Sequence, residues 1–211
     1  MMIRSLLLLV AALVWLSPAS VNGQVKPAKP PVELTAVIIS QNYCAASSDA
    51  LTLEMNLKVR YRNVGNQKLI LYKGHDLFYQ TRVRSAAGGA QGYEVLFLNS
   101  RYFDSEFESI DQAVPGKVFV SLSPGAAYER NLLVGIALVP EGVERGNSAI
   151  AVGDHTLQLI VSTWYKQRSL AEKLRKQWEP KGLLWFDPLV SPPIHFLAQR
   201  PPSAAPCKRP S

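Results

Sequence analysis

Four carboxylates crowd into one short stretch of an otherwise basic chain. They belong to Asp104, Glu106, Glu108 and Asp111, and oxygen ligands at alternating positions are one arrangement that can hold calcium. The stretch lacks the glycine and the terminal bidentate glutamate of the calcium loop that a sequence can reveal. Alternation with apolar residues is equally typical of a strand or loop with its carboxylates in water. We therefore expect no metal and no cofactor, with these four carboxylates as weak candidates for a metal site.

The three histidines form no recognisable catalytic pattern. His75 adjoins Asp76 and His155 adjoins Asp154, and a carboxylate can orient an imidazole that acts as a general base. Adjacent residues on a strand point to opposite faces, however, so these pairs are badly placed to help each other. His195 is distant in sequence from both, although folding can still gather the three. Because the chain also lacks a Gly-x-Ser-x-Gly turn and a phosphate-binding glycine loop, we expect no enzyme activity.

The three tryptophans that follow the apolar N-terminal run lie within 22 residues of one another, with two further aromatic residues beside them and basic side chains interleaved. Rings and guanidinium groups combine large apolar area with a polar edge, which carbohydrate and protein contact surfaces use. The other interpretation is a small local core, because tryptophan commonly fills such cores. If a partner surface exists, we expect it to be formed by Trp164, Tyr165, Arg168, Trp178, Trp185 and Phe186.

The first residues indicate export. Arg4 provides a cationic start, residues 5–16 are an unbroken apolar run, Pro18 ends any helix, and small residues follow up to Gly23. The run is about twelve residues, whereas a helix that spans a bilayer needs roughly 20. We interpret residues 1–23 as a cleavable signal peptide of a secreted or periplasmic protein, with cleavage after Gly23 or, alternatively, after Ala19. No cysteine follows closely, so we expect no lipid anchor.

Charge and hydropathy exclude two classes of partner. The formal net charge is +7, but the basic residues are spread along the chain and form no Lys/Arg stripe of the kind that binds nucleic acid. No later segment is apolar enough to cross a bilayer, so we expect no transmembrane segment in the mature chain. The expected partner is an unidentified protein or glycan, and affinity for anionic surfaces remains open.

The two cysteines, Cys44 and Cys207, lie near opposite ends of the exported part. In an oxidising compartment two thiols commonly form one disulfide. This bridge would close a loop of about 160 residues, which the chain-entropy description equates with up to roughly 5 kcal/mol of stability. The alternatives are a buried free Cys44 with a mobile Cys207, or a bridge between two chains. We predict the intramolecular bridge.

A period of two dominates the middle of the chain. From 51 to 62 every odd residue is apolar and every even residue polar, which predicts a strand with one buried face in an antiparallel sheet. The strand ends at Asn63-Val64-Gly65-Asn66, which suits a tight turn. Turn residues separate further apolar segments at the spacing of a two-layer sandwich. They predict strands over 32–40, 68–73, 76–84, 93–98, 117–122, 128–139, 155–165 and 193–197.

One helix is predicted, over residues 169–179. Ser169 and Glu172 stand at the spacing of a capping box, and Pro180 ends the segment. Leu170, Leu174 and Trp178 form one apolar stripe. We expect this helix to lie on the edge of the sandwich, as an insertion over residues 166–190.

The order of these parts resembles extracellular immunoglobulin-like modules of bacteria. The shared features are the alternating strand ending in Asn-x-Gly-Asn, the Ser123-Pro124-Gly125 turn before a long strand, and Gly153-Asp154-His155-Thr156-Leu157 at the start of the penultimate strand. The resemblance covers 32–197 and implies a mainly β, antiparallel immunoglobulin-like sandwich of about seven or eight strands with one inserted helix. Residues 24–31 are then a Pro/Lys-rich linker and 198–211 a Pro-rich tail.

The function that these observations favour is binding. Immunoglobulin-like modules mostly bind, space or present other molecules, which implies a secreted or periplasmic, non-catalytic sandwich that binds a protein or glycan or serves as an envelope accessory. One alternative is a small secreted hydrolase or metal-dependent enzyme assembled from the scattered histidines and carboxylates. Another is a purely structural or inhibitor-like module.

Overall fold

The strands and the helix follow the order that the sequence predicts. In a computed structural model, the described residues are 30–47, 50–72, 78–85, 94–99, 115–116, 118–139, 149–164 and 167–207. Residues 1–23, the acidic stretch 104–111, His75 and Tyr165 lie outside them, so the predictions about these residues remain predictions. The elements are β1 Val32–Ala45, β2 Leu51–Asn63, β3 Leu69–Tyr72, β4 Phe78–Ser85, β5 Glu94–Asn99, β6 Phe119–Leu122, β7 Ala127–Leu138, β8 Gly153–Ser162, α1 Arg168–Gln177, β9 Leu183–Leu184, β10 Leu189–Val190, β11 Ile194–Ala198 and β12 Ala205–Pro206.

The strands form three sheets around one core. The long sheet has the order β12-β1-β2-β7, and the second sheet has the order β10-β8-β4-β5 with β11 also paired to β8. A small sheet has the order β6-β3-β9. Most pairs are antiparallel; the exceptions among the named strands are β1 with β12 and β3 with β9. The mainly β, sandwich-like fold with one helix is confirmed for the described residues.

All nine predicted segments form strands, and β2 shows why. Its alternation buries every second side chain from Leu53 to Asn63 and leaves the intervening polar ones towards solvent, because successive side chains in a strand point to opposite faces. The first strand extends beyond its predicted end at residue 40, since its polar second half pairs with the start of β2. Three two-residue strands, β9, β10 and β12, were not predicted.

The helix begins one residue earlier than predicted, at Arg168, and the capping box is wrong. Gln167 is the N-cap and its side chain makes no capping hydrogen bond. The carboxylate of Glu172, which a capping box requires, instead lies 3.3 Å from Arg168 Nε as an i,i+4 ion pair. The predicted stripe is confirmed, because Leu174 and Trp178 are buried and Leu170 packs against the core.

Aromatic rings connect the helix to the small sheet. Trp178 meets Phe119 edge to face with 4.9 Å between ring centroids, and Phe119 meets Tyr72 in the same way at 5.7 Å. Such pairs stabilise a core beyond the area they bury. The helix is therefore part of the same hydrophobic core as the sheets.

The predicted disulfide is confirmed. Cys44 and Cys207 are bridged within the chain across a sequence separation of 163, with their Cα atoms 4.7 Å apart. The Cys207 N–H also donates to the Ala45 carbonyl at 3.0 Å, next to the short parallel pairing of β12 with β1. The bridge thus attaches the C-terminal segment to the long sheet. Within the part of the chain that the structure describes, no helix is long and apolar enough to cross a membrane.

Candidate functional site on the helix surface

The predicted aromatic surface divides into buried and accessible residues. Trp178 is only 1% exposed and Phe186 is also buried, so the interpretation as a local core holds for these two rings. Trp164 and Trp185 are half-buried. The Trp164 Nε1–H donates to the Gln167 carbonyl at 3.2 Å, which places this indole at the start of the helix. Sequence reasoning grouped these rings correctly but did not separate those that pack from those that face solvent.

Two arginines of the helix meet at one ring. The guanidinium carbons of Arg168 and Arg175 lie 4.9 Å and 5.5 Å from the centroid of the Phe186 ring, within the range of cation–π attraction. Arg168 also pairs with Glu172 and, at 2.9 Å, with Asp187. Thr163 donates to the backbone carbonyl of Asp187 at 3.1 Å. These contacts attach the outer side of α1 to the segment that follows β9.

A depression lies at the C-terminal end of the helix. Its cavity volume is about 300 Å³, at the small end of the range for ligand sites, and it is lined by Gln67, Arg175, Lys176, Glu179, Gly182 and Leu183. Three of these six carry charge, two positive and one negative. The depression therefore combines basic groups with a carboxylate and an amide on one small surface.

The floor of the depression is fixed by the backbone. Leu183 donates its N–H to the Lys68 carbonyl at 2.8 Å, which pairs β9 with the start of β3. Gly182 has a φ of +147°, and a Cβ at this position would lie 2.7 Å from the same carbonyl oxygen. A glycine is therefore required for the close approach of these two chain segments.

The charges around the depression have no ion-pair partner in the part of the chain that the structure describes, although Arg175 contacts the Phe186 ring. Among the described residues, Arg175, Lys176 and Glu179 form no ion pair, whereas Arg168 forms two. Lys176 and Glu179 are exposed and Arg175 is half-buried. Since a guanidinium and an ammonium group bind carboxylates through charge-assisted hydrogen bonds, this surface can receive an acidic group from outside.

The two described histidines are not gathered into a site. They lie on the paired strands β8 and β11, where His155 faces Phe196 and His195 faces Thr156. His155 is buried and stacks on Phe196 at 5.4 Å, whereas His195 is exposed. Burial lowers the pKa of His155, opposed by its contact of 2.8 Å with the Gly153 carbonyl. The imidazole is therefore packed as a neutral group.

A tyrosine cluster between the long sheet and the second sheet was missed by sequence reasoning. Tyr61 of β2 and Tyr79 of β4 are buried, and the Arg130 guanidinium carbon lies 5.7 Å from the Tyr79 ring centroid. Burial raises the pKa of both phenols, although Arg130 acts in the opposite direction. Both rings belong to the hydrophobic core, so this cluster contributes to packing between the sheets.

One group of potential metal ligands exists among the described residues. A carboxylate oxygen of Glu54 and the sulfur atoms of Cys44 and Cys207 lie within 4.8 Å of one another. Both sulfurs are joined in the disulfide, and a metal requires thiolates. This cluster is therefore a bridge with a neighbouring carboxylate.

Comparisons with known proteins do not identify a family. No protein-family model and no curated protein match the chain. Among solved structures, the chain is similar to the X-ray structure of Northeast Structural Genomics Consortium target SoR45, with a TM-score of 0.33 and 12% sequence identity over 85% of this chain and 94% of that one.

Proposed function

We propose that this protein is an exported, non-catalytic β-sandwich that binds a protein partner through the depression at the end of α1. The observation that carries the proposal is the set of charges at this depression, on Arg175, Lys176 and Glu179, which have no ion-pair partner among the described residues. Arg175 also contacts the Phe186 ring, but a guanidinium, an ammonium and a carboxylate group without ion-pair partners in the described part of the chain can still bind an external charged group.

The packing of the helix supports recognition by a preformed surface. Leu174 and Trp178 bury the inner side of the helix, and the Phe186 contacts hold its outer side. A surface that does not have to be ordered on binding loses less conformational entropy than a flexible one. The contact can therefore be specific although the depression is small.

A protein partner fits this surface better than a glycan. Sugar binding commonly uses an accessible aromatic face, but none of the residues that line the depression is aromatic. Arginine beside a shallow depression is typical of protein interfaces. We infer that the partner inserts an acidic side chain or a terminal carboxylate between Arg175 and Lys176, with Glu179 selecting against a second negative charge nearby.

Charge reversal tests this function. We expect Lys176→Glu to abolish capture of a partner from the native envelope or culture medium, with a melting temperature close to that of the unmodified protein because Lys176 is exposed. Arg62→Glu is the matched control, since Arg62 is also exposed and has no ion pair among the described residues. Equal capture by both variants would contradict the proposal and favour a purely structural module.

Export is the second part of the proposal and is tested separately. It is supported by the cationic and apolar residues 1–23 and by the intramolecular disulfide, because disulfides persist in oxidising compartments. N-terminal sequencing of the protein from its host should begin at Gln24. An unprocessed N-terminus on protein recovered from the cytosol, with both thiols reduced, would refute export without touching the binding test.

A further inference from the structure

β7 forms an edge of the long sheet. One side of β7 pairs with β2 along nearly its whole length. Among the described residues, backbone hydrogen bonds on its other side occur only near its end, where the Ile150 N–H donates to the Ala137 carbonyl and the Val139 N–H donates to the Ile150 carbonyl, each at 2.9 Å. No described strand pairs with the preceding part of that side.

Those end bonds establish which backbone groups point outward. The N–H and C=O of one residue in a strand point to the same side, and neighbouring residues alternate. Since Ala137 points away from β2, the preceding odd-numbered residues do so as well. The Ala126 carbonyl, just before β7, accepts a hydrogen bond from the Asn63 N–H of β2. This bond confirms that the backbone groups of even-numbered residues point towards β2. Between Tyr128 and Ile136, the outward backbone groups therefore belong to Glu129, Asn131, Leu133 and Gly135.

This edge is open to solvent. All four outward residues are exposed, and because glycine has no side chain, the exposure of Gly135 is exposure of the backbone itself. Leu133 is 52% exposed despite its apolar side chain. An open edge with an apolar residue at its centre is a template for addition of another strand.

The opposite edge of the same sheet also exposes apolar residues, Val37 and Ile39, but it is interrupted, so β7 is the more regular of the two edges. β1 carries a register shift between Ile38 and Ser40, and its end is covered by β12 and the disulfide. Bulges and covered ends are the usual ways to block strand addition. β7 has no proline and no register shift against β2. Its outward carboxylate, Glu129, is compensated by Lys58 at 2.8 Å.

We propose that two copies of this chain pair through β7, antiparallel about a two-fold axis at Leu132, so that their long sheets become continuous. This register places Asn131 opposite Leu133 of the second copy and Glu129 opposite Gly135 of the second copy. The two-fold axis repeats each of these two pairings, and the resulting four residue pairs exchange about eight backbone hydrogen bonds. The register uses these four residues. It leaves outside the pairing Ala137, whose carbonyl is already bonded, and Ala127, which would face Ala137 of the second copy.

Charge and shape favour a second copy as the occupant. In this register no like charges stand opposite each other, because the carboxylate of Glu129 meets a glycine. The two Leu133 side chains lie diagonally across the axis, within reach of each other, which removes exposed apolar surface from water. The formal charge of +7 on each full chain opposes association at long range, so association should strengthen as salt screens it.

The oligomeric state tests the proposal. Sedimentation equilibrium of the purified protein from about 1 to about 500 µM covers the dissociation constants of weak and moderate complexes. We expect a monomer–dimer equilibrium that shifts towards dimer at higher ionic strength. Leu133→Pro should give a monomer that still folds, because its N–H points away from β2 and the internal ladder loses no donor.

Two further variants keep the result interpretable. Leu133→Lys places a like charge close to its symmetry mate, and should also give a monomer if the proline variant fails to fold. Val190→Lys is the matched control, because Val190 is 51% exposed on the second sheet and lies outside the proposed interface. It should leave the dimer unchanged.

Amide exchange locates the interface. When concentrated protein is compared with dilute protein, the amides of the four outward residues should gain protection against hydrogen exchange; these are Glu129, Asn131, Leu133 and Gly135. The even-numbered amides of β7 are already bonded to β2 and should change little. A protein that is monomeric throughout the concentration range would overturn the proposal. So would a dimer that survives both Leu133 variants, or β7 amides that gain protection only when a different protein is added.

Discussion

Removal of the Cys44–Cys207 bridge is the perturbation whose size follows most directly from the structure. The bridge closes a loop with a sequence separation of 163. In the chain-entropy description, release of a loop of this length from the unfolded chain lowers the free energy of unfolding by about 5 kcal/mol at 25 °C. For a domain of this size, that corresponds to a fall in melting temperature of roughly 10–20 °C.

The folded-state contribution of the bridge is small by comparison. The C-terminal segment contacts β1 through the two-residue pairing of β12 and through the hydrogen bond from Cys207 to Ala45. Loss of these contacts costs about 0.5–1.5 kcal/mol for each hydrogen bond. Removal of the bridge should therefore lower the free energy of unfolding by about 5 kcal/mol if its main effect is to expand the unfolded chain. The loss should be several kcal/mol smaller if its main effect is to detach the C-terminal segment from β1.

Urea unfolding of the oxidised protein, followed by fluorescence of the buried Trp178, supplies the reference. The Cys44→Ala/Cys207→Ala variant and the reduced, alkylated protein are compared with it. A shortened chain that ends at Arg200, combined with Cys44→Ala, removes the segment altogether. If loop entropy dominates, the double variant, the reduced and alkylated protein, and the shortened chain should all lose about the same free energy of unfolding relative to the oxidised protein. A loss below about 1 kcal/mol in the double variant would refute the entropic account.

Three other predictions concern the core and the turn. Trp178→Ala should lower the free energy of unfolding by about 3–5 kcal/mol in urea titrations, and a loss near zero would contradict its burial. Gly182→Ala should cost about 1–3 kcal/mol, because the added Cβ meets a carbonyl oxygen at 2.7 Å. Gly125→Ala should cost less, because at its φ of +78° it adds only the strain of the left-handed backbone and no clash within 4 Å. Burial lowers the pKa of His155 in the folded protein, so the unfolded chain binds the proton first. The contribution of neutral His155 to the free energy of unfolding should therefore be complete above pH ~6.5 and should be lost as the pH drops below that value. In melting curves measured across this pH range, His155→Phe should flatten the dependence on pH, whereas His195→Phe should not.

Much of the fold was predictable because its signals are local. The alternation in β2 specifies both the strand and its buried side, whatever strand pairs with it, since side chains alternate by geometry alone. The stripe of Leu174 and Trp178 specifies the inner side of α1 in the same way. By contrast, β9, β10 and β12 have two residues each, too few to show any period, and they exist because neighbouring strands provide their hydrogen bonds.

The site was less predictable than the fold, for a physical reason. The interleaved aromatic and basic residues identified the helix segment, but burial of Trp178 and half-burial of Trp185 depend on which elements lie across from them. The capping box is wrong because the N-cap is Gln167, which places Ser169 inside the helix, and Arg168 then pairs with both Glu172 and the sequence-distant Asp187. The depression itself needs the Lys68 carbonyl beside Gly182, a contact between remote segments.

The sequence by itself determined the strand positions, the faces they bury and the presence of one amphipathic helix, because these follow from the spacing of apolar residues along a short stretch of chain. Only the tertiary structure decided that Cys207 reaches Cys44, that three charges at the end of α1 stay without ion pairs among the described residues, and that β7 presents its odd-numbered backbone groups to solvent. Each of these depends on distances between segments far apart in the chain, and such distances are set by the packing of the whole core.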